Sequence, residues 1–390
     1  MINEHKLLDV KYKKLEVLHL SKAALIGSEI YRNSQFGGKH PLSIPRVSAV
    51  LDLIRALGIC DSEEYKTGPC AKPELLQRFH TPEYISILKK TEMSQKISQI
   101  DAKTFNIGSL SNPVFPEMFK RPATSVGSSL LAADLVADGG RAYSLGGGLH
   151  HGMSGYANGF CFLNDLAFAI NRLRELGIQR VAYIDLDAHH CDGVTAAFPE
   201  DENLFIVSAH EDKRWPFTGG IDENLVDRFL NIPLPSRCND TEYLFIFEKL
   251  VFPLLARFQP EALVIQGGAD ALEDDPMSRL SLSNQVLWKI LTMLLEQSQR
   301  VILTGGGGYN PWTVSRLWTG FWALMSGRSI PENLPSEAIS LLKSLSWQRQ
   351  TMPKERLLNS ILDIPQEGQL RNEVSDLVEK ISALHKFTQN

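Results

Sequence analysis

The densest group of residues able to do chemistry is IDLDAHHCDG, which sets Asp185, Asp187, His189, His190 and Asp192 within eight positions at the end of an apolar run. Residues two apart in a strand face the same way, so Asp187 and His189 can converge on one point. A lone aspartate or histidine after a strand is usually a turn former or a helix cap, but five in so short a stretch exceed what a turn needs. In GGGLHHG, His150 and His151 follow three glycines, a residue type that lets backbone approach closely. GGAD puts Asp270 after the apolar run ALVIQ, and TGGGGYN carries Tyr309. Four glycines alone mark any tight turn, and a phosphate loop would need a lysine and a Ser/Thr that are absent here.

Asp187, His189 and Asp270 can offer two carboxylates and one imidazole to a single ion. Three protein ligands leave a coordination position for water, the catalytic rather than the structural arrangement for zinc. Such an ion lowers the pKa of its water toward about 7 and polarises a carbonyl. His150 and His151 then suit an acid–base pair, and Asp185 and Asp192 are candidates to hold those imidazoles in one tautomer. Tyr309 is placed to donate a hydrogen bond to a developing oxyanion.

These clusters need a scaffold that brings them together. Each ends a short apolar or β-branched run: RAYSLGGG (141–148), RVAYIDLDAHH (180–190), LFIVSAH (204–210), ALVIQGGAD (262–270) and RVILTGGGG (300–308). Continuous apolar runs of this length fit strands buried on both faces. Between them lie helical patterns: 123–140, 164–177 with Asn164 as a cap, and 284–298 capped by Ser283 or Asn284. Alternation of this kind predicts an α/β single domain with a mostly parallel central sheet and helices on both faces. In such sheets ligands bind outside the carboxyl ends of the strands, which is where every polar cluster falls.

The 390 residues, 43% hydrophobic and 22% charged, are those of a globular protein able to build a core without staples. Five cysteines, an odd number with no C-x-x-C pair, argue against a disulfide framework and a cysteine zinc site and suit a reducing compartment. A net charge of −5 gives no basic face for nucleic acid. The first fourteen residues, MINEHKLLDVKYKK, lack the apolar stretch of a signal peptide, and no apolar window suggests a membrane span, so a cytoplasmic protein is expected. We divide the chain into a catalytic domain at 1–335 and a helical extension at 336–390 without catalytic chemistry, its last helix at roughly 367–387 by pattern.

The motifs SLGGGLHHG, GFCFLND, YIDLDAHHCDG, QGGADALEDDPM and LTGGGGY resemble those of the histone deacetylase family, which includes bacterial acetoin-utilization proteins. HPLSIPR (40–46), RFHTPEYI (78–85) and 315–331 resemble family segments outside the site, and the likeness runs in order over about residues 15–335. The resemblance implies an arginase/deacetylase-like fold and hydrolysis of the acetyl amide of acetyl-lysine on a protein or peptide. It implies zinc held by Asp187, His189 and Asp270. His150 and His151 become the paired histidines, with His151 the base and later the acid, Asp185 and Asp192 their respective carboxylates, and Tyr309 the carbonyl-polarising tyrosine. Gly159 and Phe160 would line an acyl-lysine tunnel, with Trp215 or Phe217 opposite. A potassium ion is implied near the Asp185, Asp187 and His189 turn, with Ser208 among its ligands.

Four comparisons sharpen the expectation. An arginase-like site with two ions needs carboxylates where this chain has Cys191 and Gly268. Ser111, in GSLSNPVF, stands where the family commonly has an acid that anchors the substrate backbone, unless it merely caps a helix beginning near Pro113. Relatives selective for acetylpolyamines carry an acid near the tunnel mouth where this chain has Met277, which favours acetyl-lysine over a small acetylamine. A binding module that had lost its chemistry would have lost at least one of these positions, and all are filled.

Overall fold

The computed structural model describes residues 22–33, 36, 40–347 and 353–386. The amino-terminal stretch read for a leader, residues 348–350 and the end of the expected final helix lie outside the described residues.

The apolar runs form strands. The described strands are β1 (Ala23–Gly27), β2 (Tyr65–Thr67), β3 (Gly140–Ser144), β4 (Val181–Asp185), β5 (Leu204–Glu211), β6 (Phe229–Leu234), β7 (Ala262–Gln266) and β8 (Arg300–Thr304). They make one sheet in the order β2-β1-β3-β8-β7-β4-β5-β6. Every pairing is parallel, so the sheet is wholly rather than mostly parallel. Alternate residues feed opposite faces, as a pleat requires. Ala182, Ile184, Leu263, Ile265, Val301 and Leu303 enter one apolar core, and Val181, Tyr183, Ala262, Val264 and Ile302 enter the other. With both faces covered, polar residues cannot alternate along these strands, and they collect at the strand ends instead.

That collection is in register. Ser144 of β3 lies opposite Thr304 of β8, Thr304 opposite Gln266 of β7, Gln266 opposite Asp185 of β4, and Asp185 opposite Ser208 of β5. All five are fully buried. This polar rung crosses the sheet at a single height, and the loops that carry the histidines, aspartates and tyrosine leave from it.

Helices flank the sheet with caps of ordinary chemistry. Asn164 accepts from the Ala167 amide to start Asp165–Glu175, and Ser283, not Asn284, caps Asn284–Leu294. Asn310 caps Pro311–Met325, where proline stands in the first turn, a position that loses no hydrogen bond. No helix begins near Pro113. The next one is Lys120–Val136, and Ser111 is exposed and caps nothing. Among the described residues no helix is long and apolar enough to cross a membrane.

The segment after 335 packs back on the domain. Its helices Ser336–Ser344, Arg356–Asn359 and Asn372–Leu384 add Ala338, Leu342, Leu357, Val374, Val378 and Ile381 to the larger core. Fully buried Arg316 meets it, bonding Asp363 Oδ1 at 2.6 Å and the Ser360 carbonyl at 2.7 Å.

Close helix packing sets a first prediction. A Cβ on Gly320 would lie 2.2 Å from the Trp288 ring, whose indole N–H is fixed by the Leu317 carbonyl at 3.0 Å. Gly320→Ala should therefore cost about 1–3 kcal/mol through overpacking, read as a lower denaturation midpoint at unchanged slope.

Candidate active site

Two carboxylates and an imidazole meet at the ends of β4 and β7. His189 Nδ1 lies 3.0 Å from Asp187 Oδ1 and 3.0 Å from Asp270 Oδ2. The three residues offer ligand atoms within 4.8 Å of one another, and all are buried. This is the one such group among the described residues. Burial lowers the basicity of His189, but the two carboxylates outweigh it and push the imidazole up to about 10. A donor set that draws a proton so strongly is one whose charge calls for a cation.

The carboxylates are aimed by backbone. Asp187 Oδ2 accepts from Gln266 Nε2 and from the Gly307 amide, each at 2.7 Å, and Asp270 Oδ1 accepts from the Ala188 amide at 2.9 Å. Such outer partners orient metal-binding groups. They also explain the glycines. A Cβ at Gly307 would stand 2.2 Å from Asp270 Oδ2, and one at Gly268 would stand 2.4 Å from Asp187 Oδ2. The glycine run that looked like any turn in the sequence is where backbone must touch the carboxylates.

Beside this cluster the loop after β3 delivers His150 and His151, their rings 3.8 Å apart. Each is tied to its own carboxylate. His150 Nδ1 lies 2.8 Å from Asp185 Oδ2, and His151 Nδ1 lies 2.6 Å from Asp192 Oδ1. Their electrostatics differ. Burial lowers His150, but Asp185 and Asp187 outweigh it and raise it to about 9. Burial and the neighbouring His150 charge lower His151 to about 4, against the pull of Asp192, so it stays neutral. Asp165 fixes the loop itself by accepting from the amides of Gly148 and Leu149.

Tyr309 follows the glycine run and is buried. Burial and the aspartates raise its phenol well above the usual value, which keeps it a donor. Its amide donates to Asp275 Oδ2 at 2.7 Å. The Phe160 ring sits 5.9 Å from that of Tyr309 and 4.6 Å from that of His40. Phe160 holds φ 69° and Gly159 φ 51°. The left-handed backbone is unusual for phenylalanine, and Asn112 Oδ1 accepts the Phe160 amide there at 3.1 Å.

The opposite wall is Trp215. Its ring packs edge-on to His151 at 4.6 Å, and a Cβ on Gly159 would fall 2.3 Å from it. Phe217 points away at 75% exposed, against 37% for Trp215. Met277 is half-buried, its carbonyl held by Arg214 Nη1 at 2.7 Å. The exposed Ser111 reaches this region through its carbonyl, which accepts from His40 Nε2 at 3.2 Å. Ser208 is buried beside Asp185, its hydroxyl 2.9 Å from His210 Nδ1. His190 turns from the cluster to Thr218 Oγ1 at 2.8 Å.

Several contributors are not singled out from the sequence, although Tyr183 opens YIDLDAHHCDG and Arg46 ends HPLSIPR. Asn158 Nδ2 holds the second oxygen of Asp192 at 2.9 Å, and the Tyr183 hydroxyl donates to Asp185. Arg46 donates to the Gly306 carbonyl, its guanidinium 5.0 Å from the Trp318 ring, and lines a cavity behind the site with Tyr31, Ser125, His150 and Tyr309. Gln266, which opens QGGADALEDDPM, has a further signal as the polar residue that ends an otherwise apolar strand.

A parallel α/β domain that gathers a metal-capable Asp-His-Asp cluster, two carboxylate-anchored histidines and a buried tyrosine at one sheet edge defines a hydrolase. The chain matches the Histone deacetylase domain over residues 40–325. It is 33% identical to the acetoin utilization protein AcuC of Bacillus subtilis, covering 84% of this chain and 87% of that protein. It is 30% identical to the protein of the same name from Staphylococcus aureus (strain MSSA476), over 95% and 99% of the two. The solved structure of an HDAC homolog from Aquifex aeolicus superposes with a TM-score of 0.88 at 36% identity, over 92% of this chain and 99% of that one. A structure of an HDAC homolog complexed with SAHA gives the same TM-score at 37% identity. The chain belongs to the histone deacetylase family and is a deacetylase of that family.

The glycine contacts make the second prediction. Gly307→Ala would drive a methyl between Asp187 and Asp270, so metal retained after dialysis should fall, with affinity about 10–100-fold weaker, the scale set by outer-shell changes. Metal content by elemental analysis checks it, with retention equal to wild type as the opposing result.

Proposed function

We propose that the protein is a zinc-dependent hydrolase that removes the acetyl group from acetyl-lysine in a protein or peptide. The observation that carries this is the placement of His189 Nδ1 at 3.0 Å from carboxylate oxygens of both Asp187 and Asp270. Two carboxylates and one imidazole, buried and oriented by amides, fit a single zinc with room left for a reacting group. When bound, the ion supplies Lewis-acid polarisation of the acetyl carbonyl and lowers the pKa of a water.

The remaining work falls to the chain's own groups. His151 is neutral, and the bond from its Nδ1 to Asp192 leaves Nε2 free to take the proton of the attacking water. The same nitrogen then gives that proton to the departing amine. His150, held by Asp185 through its Nδ1, lies against the His151 ring and orients it. The Tyr309 hydroxyl donates to the oxygen that gains negative charge, an interaction worth most where water is excluded. Gly159, Phe160 and Trp215 flank the methylenes of the lysine, and the absent side chain of Gly159 leaves the gap through which Trp215 and His151 touch.

A potassium ion at the turn of Asp185, Asp187 and His189 belongs to the same reading, supported by Ser208 lying in register with Asp185. Five free cysteines, three of them buried, support a reducing, cytoplasmic setting. At the rim, Ser111 offers a neutral acceptor where a carboxylate would grip peptide amides more firmly.

Chelation should abolish hydrolysis of an acetyl-lysine peptide and zinc should restore it. His151→Ala should lower kcat by about 10²–10⁴-fold and Tyr309→Phe by about 10²–10³-fold with metal content retained. Full activity in metal-free protein, or near-normal turnover in both variants, rejects the mechanism.

The choice of substrate rests on Met277 and the aromatic walls. An internal ammonium would enter without a partner, and burying an unpaired charge is costly. Acetyl-lysine peptides should therefore exceed acetylspermidine in kcat/KM, and Met277→Glu should narrow the gap. A wild-type preference for the acetylpolyamine would identify a small-amine deacetylase instead.

A further inference from the structure

The described residues after 335 bring no side chain to the reacting centre, yet they grip the loop on which Tyr309 depends. We propose that Lys354 and Arg356 are positioning residues for Tyr309, acting through Asp274 and Asp275. The proposal rests on Tyr309 as the oxyanion donor of the function above.

Residues 305–308 before Tyr309 are all glycine: Gly305, Gly306 and Gly307 are held through their backbone by Ser144, Arg46, Asp187 and Ala269, and Gly308, at φ 128°, stands between them and the tyrosine. Glycine imposes no conformation of its own. The amide of the tyrosine itself is held by the loop after β7. Asp275 accepts the Tyr309 amide at 2.7 Å with one oxygen and the Met277 amide at 2.9 Å with the other. The preceding carbonyl, that of Asp274, accepts from Asn310 Nδ2 at 2.9 Å, while Asn310 Oδ1 caps the helix after Tyr309. Loop, tyrosine and helix start thus form one hydrogen-bonded unit.

That unit is held from outside by charge. The two oxygens of Asp274 are taken separately, one by Lys354 and one by Arg356, and the carboxylate is only 12% exposed. Arg356 reaches on to Asp363 Oδ1 at 3.4 Å, and Asp363 is anchored by buried Arg316 at 2.6 Å and by the Asn284 amide at 3.0 Å. A continuous path runs from the core through Asp363, Arg356 and Asp274 to the backbone of Tyr309. Without the two cations, Asp274 would sit half-desolvated beside Asp275, and the loop would shift to hydrate it. A displacement near 1 Å at a reacting group is enough to cost about 10²-fold in rate.

The test compares Lys354→Met/Arg356→Met with wild type in the full chain. We expect kcat on an acetyl-lysine peptide to fall about tenfold or more, while KM and bound metal stay at wild-type values. Arg356→Lys alone should keep most of the turnover, because it keeps the charge. Independently of activity, amide hydrogen exchange in the peptide spanning 305–312 should quicken in the double variant while exchange in β4 and β7 does not. Unchanged kcat with unchanged exchange overturns the proposal, and so does a global rise in exchange with KM and metal lost together, which marks mere destabilisation. If the double variant fails to fold, Lys354→Met, whose amine is half exposed, gives the graded version of the same readouts. Normal turnover in Tyr309→Phe would remove the catalytic role of the tyrosine and leave the exchange result to decide the positioning.

Discussion

Buried negative charge governs this molecule. Asp185, Asp187 and Asp270 are at most 1% exposed, and Asp275 is 5% exposed. A carboxylate away from water is stable only when paired or richly hydrogen-bonded. The chain answers with donors from every side: imidazoles from His150 and His189, the amide of Gln266, the hydroxyl of Tyr183, and backbone N–H groups of residues 187, 188, 189, 307 and 309. Backbone can only come that close where side chains are missing. The glycines at 268 and 307 are consequences of the aspartates, and the loops are shaped by the charge they surround.

Height is the second constraint, and the parallel sheet supplies it. Because all the pairings share a direction, every strand ends on the same edge, and the polar rung from Ser144 to Ser208 fixes the level at which loops depart. The two core layers then keep polar groups from straying down the strands. The paired histidines and the Asp-His-Asp cluster come from the loops after β3, β4 and β7, elements far apart in the chain, yet they meet at one edge of the sheet.

Much of this was legible in the sequence, for reasons that can be named. Apolar runs ending in glycine, aspartate and histidine gave the α/β class and the edge, because burial on both faces leaves no other composition for such strands. Asp187, His189 and Asp270 stood out because metal-binding side chains have few other uses at that density. The order of the strands was not legible, since runs such as RVAYI and RVILT are equally apolar and do not name their neighbours. Nor was the choice between Trp215 and Phe217, two aromatics in one loop whose backbone path decides which ring turns inward. The roles of Asn112, Asn158 and Asp275 were not legible for a related reason, although Asn112 stands in GSLSNPVF and Asp275 in QGGADALEDDPM. Each is a single polar residue whose worth lies in the one atom it meets, and that meeting exists only after the chain has folded. The packing of the last helices was left open by a pattern that fixes an apolar face without its partner.

The position of β8 has a consequence for how the molecule comes into being. This strand, the last of the eight in the chain, lies between β3 and β7 and alone joins β2-β1-β3 to β7-β4-β5-β6 within the sheet. Synthesis proceeds from the amino terminus, and early segments form structure first. The portion bearing His150 and His151 and the portion bearing Asp187, His189 and Asp270 are therefore made with an open slot between them. Residues 300–304 fill that slot, and the glycines that follow close over the aspartates in the same movement. A nascent chain stalled before β8 would expose two unfinished sheet edges, which are natural templates for wrong partners, and would have no catalytic centre to leave unguarded. Activity and the burial of the riskiest surface arrive together, as a single late event.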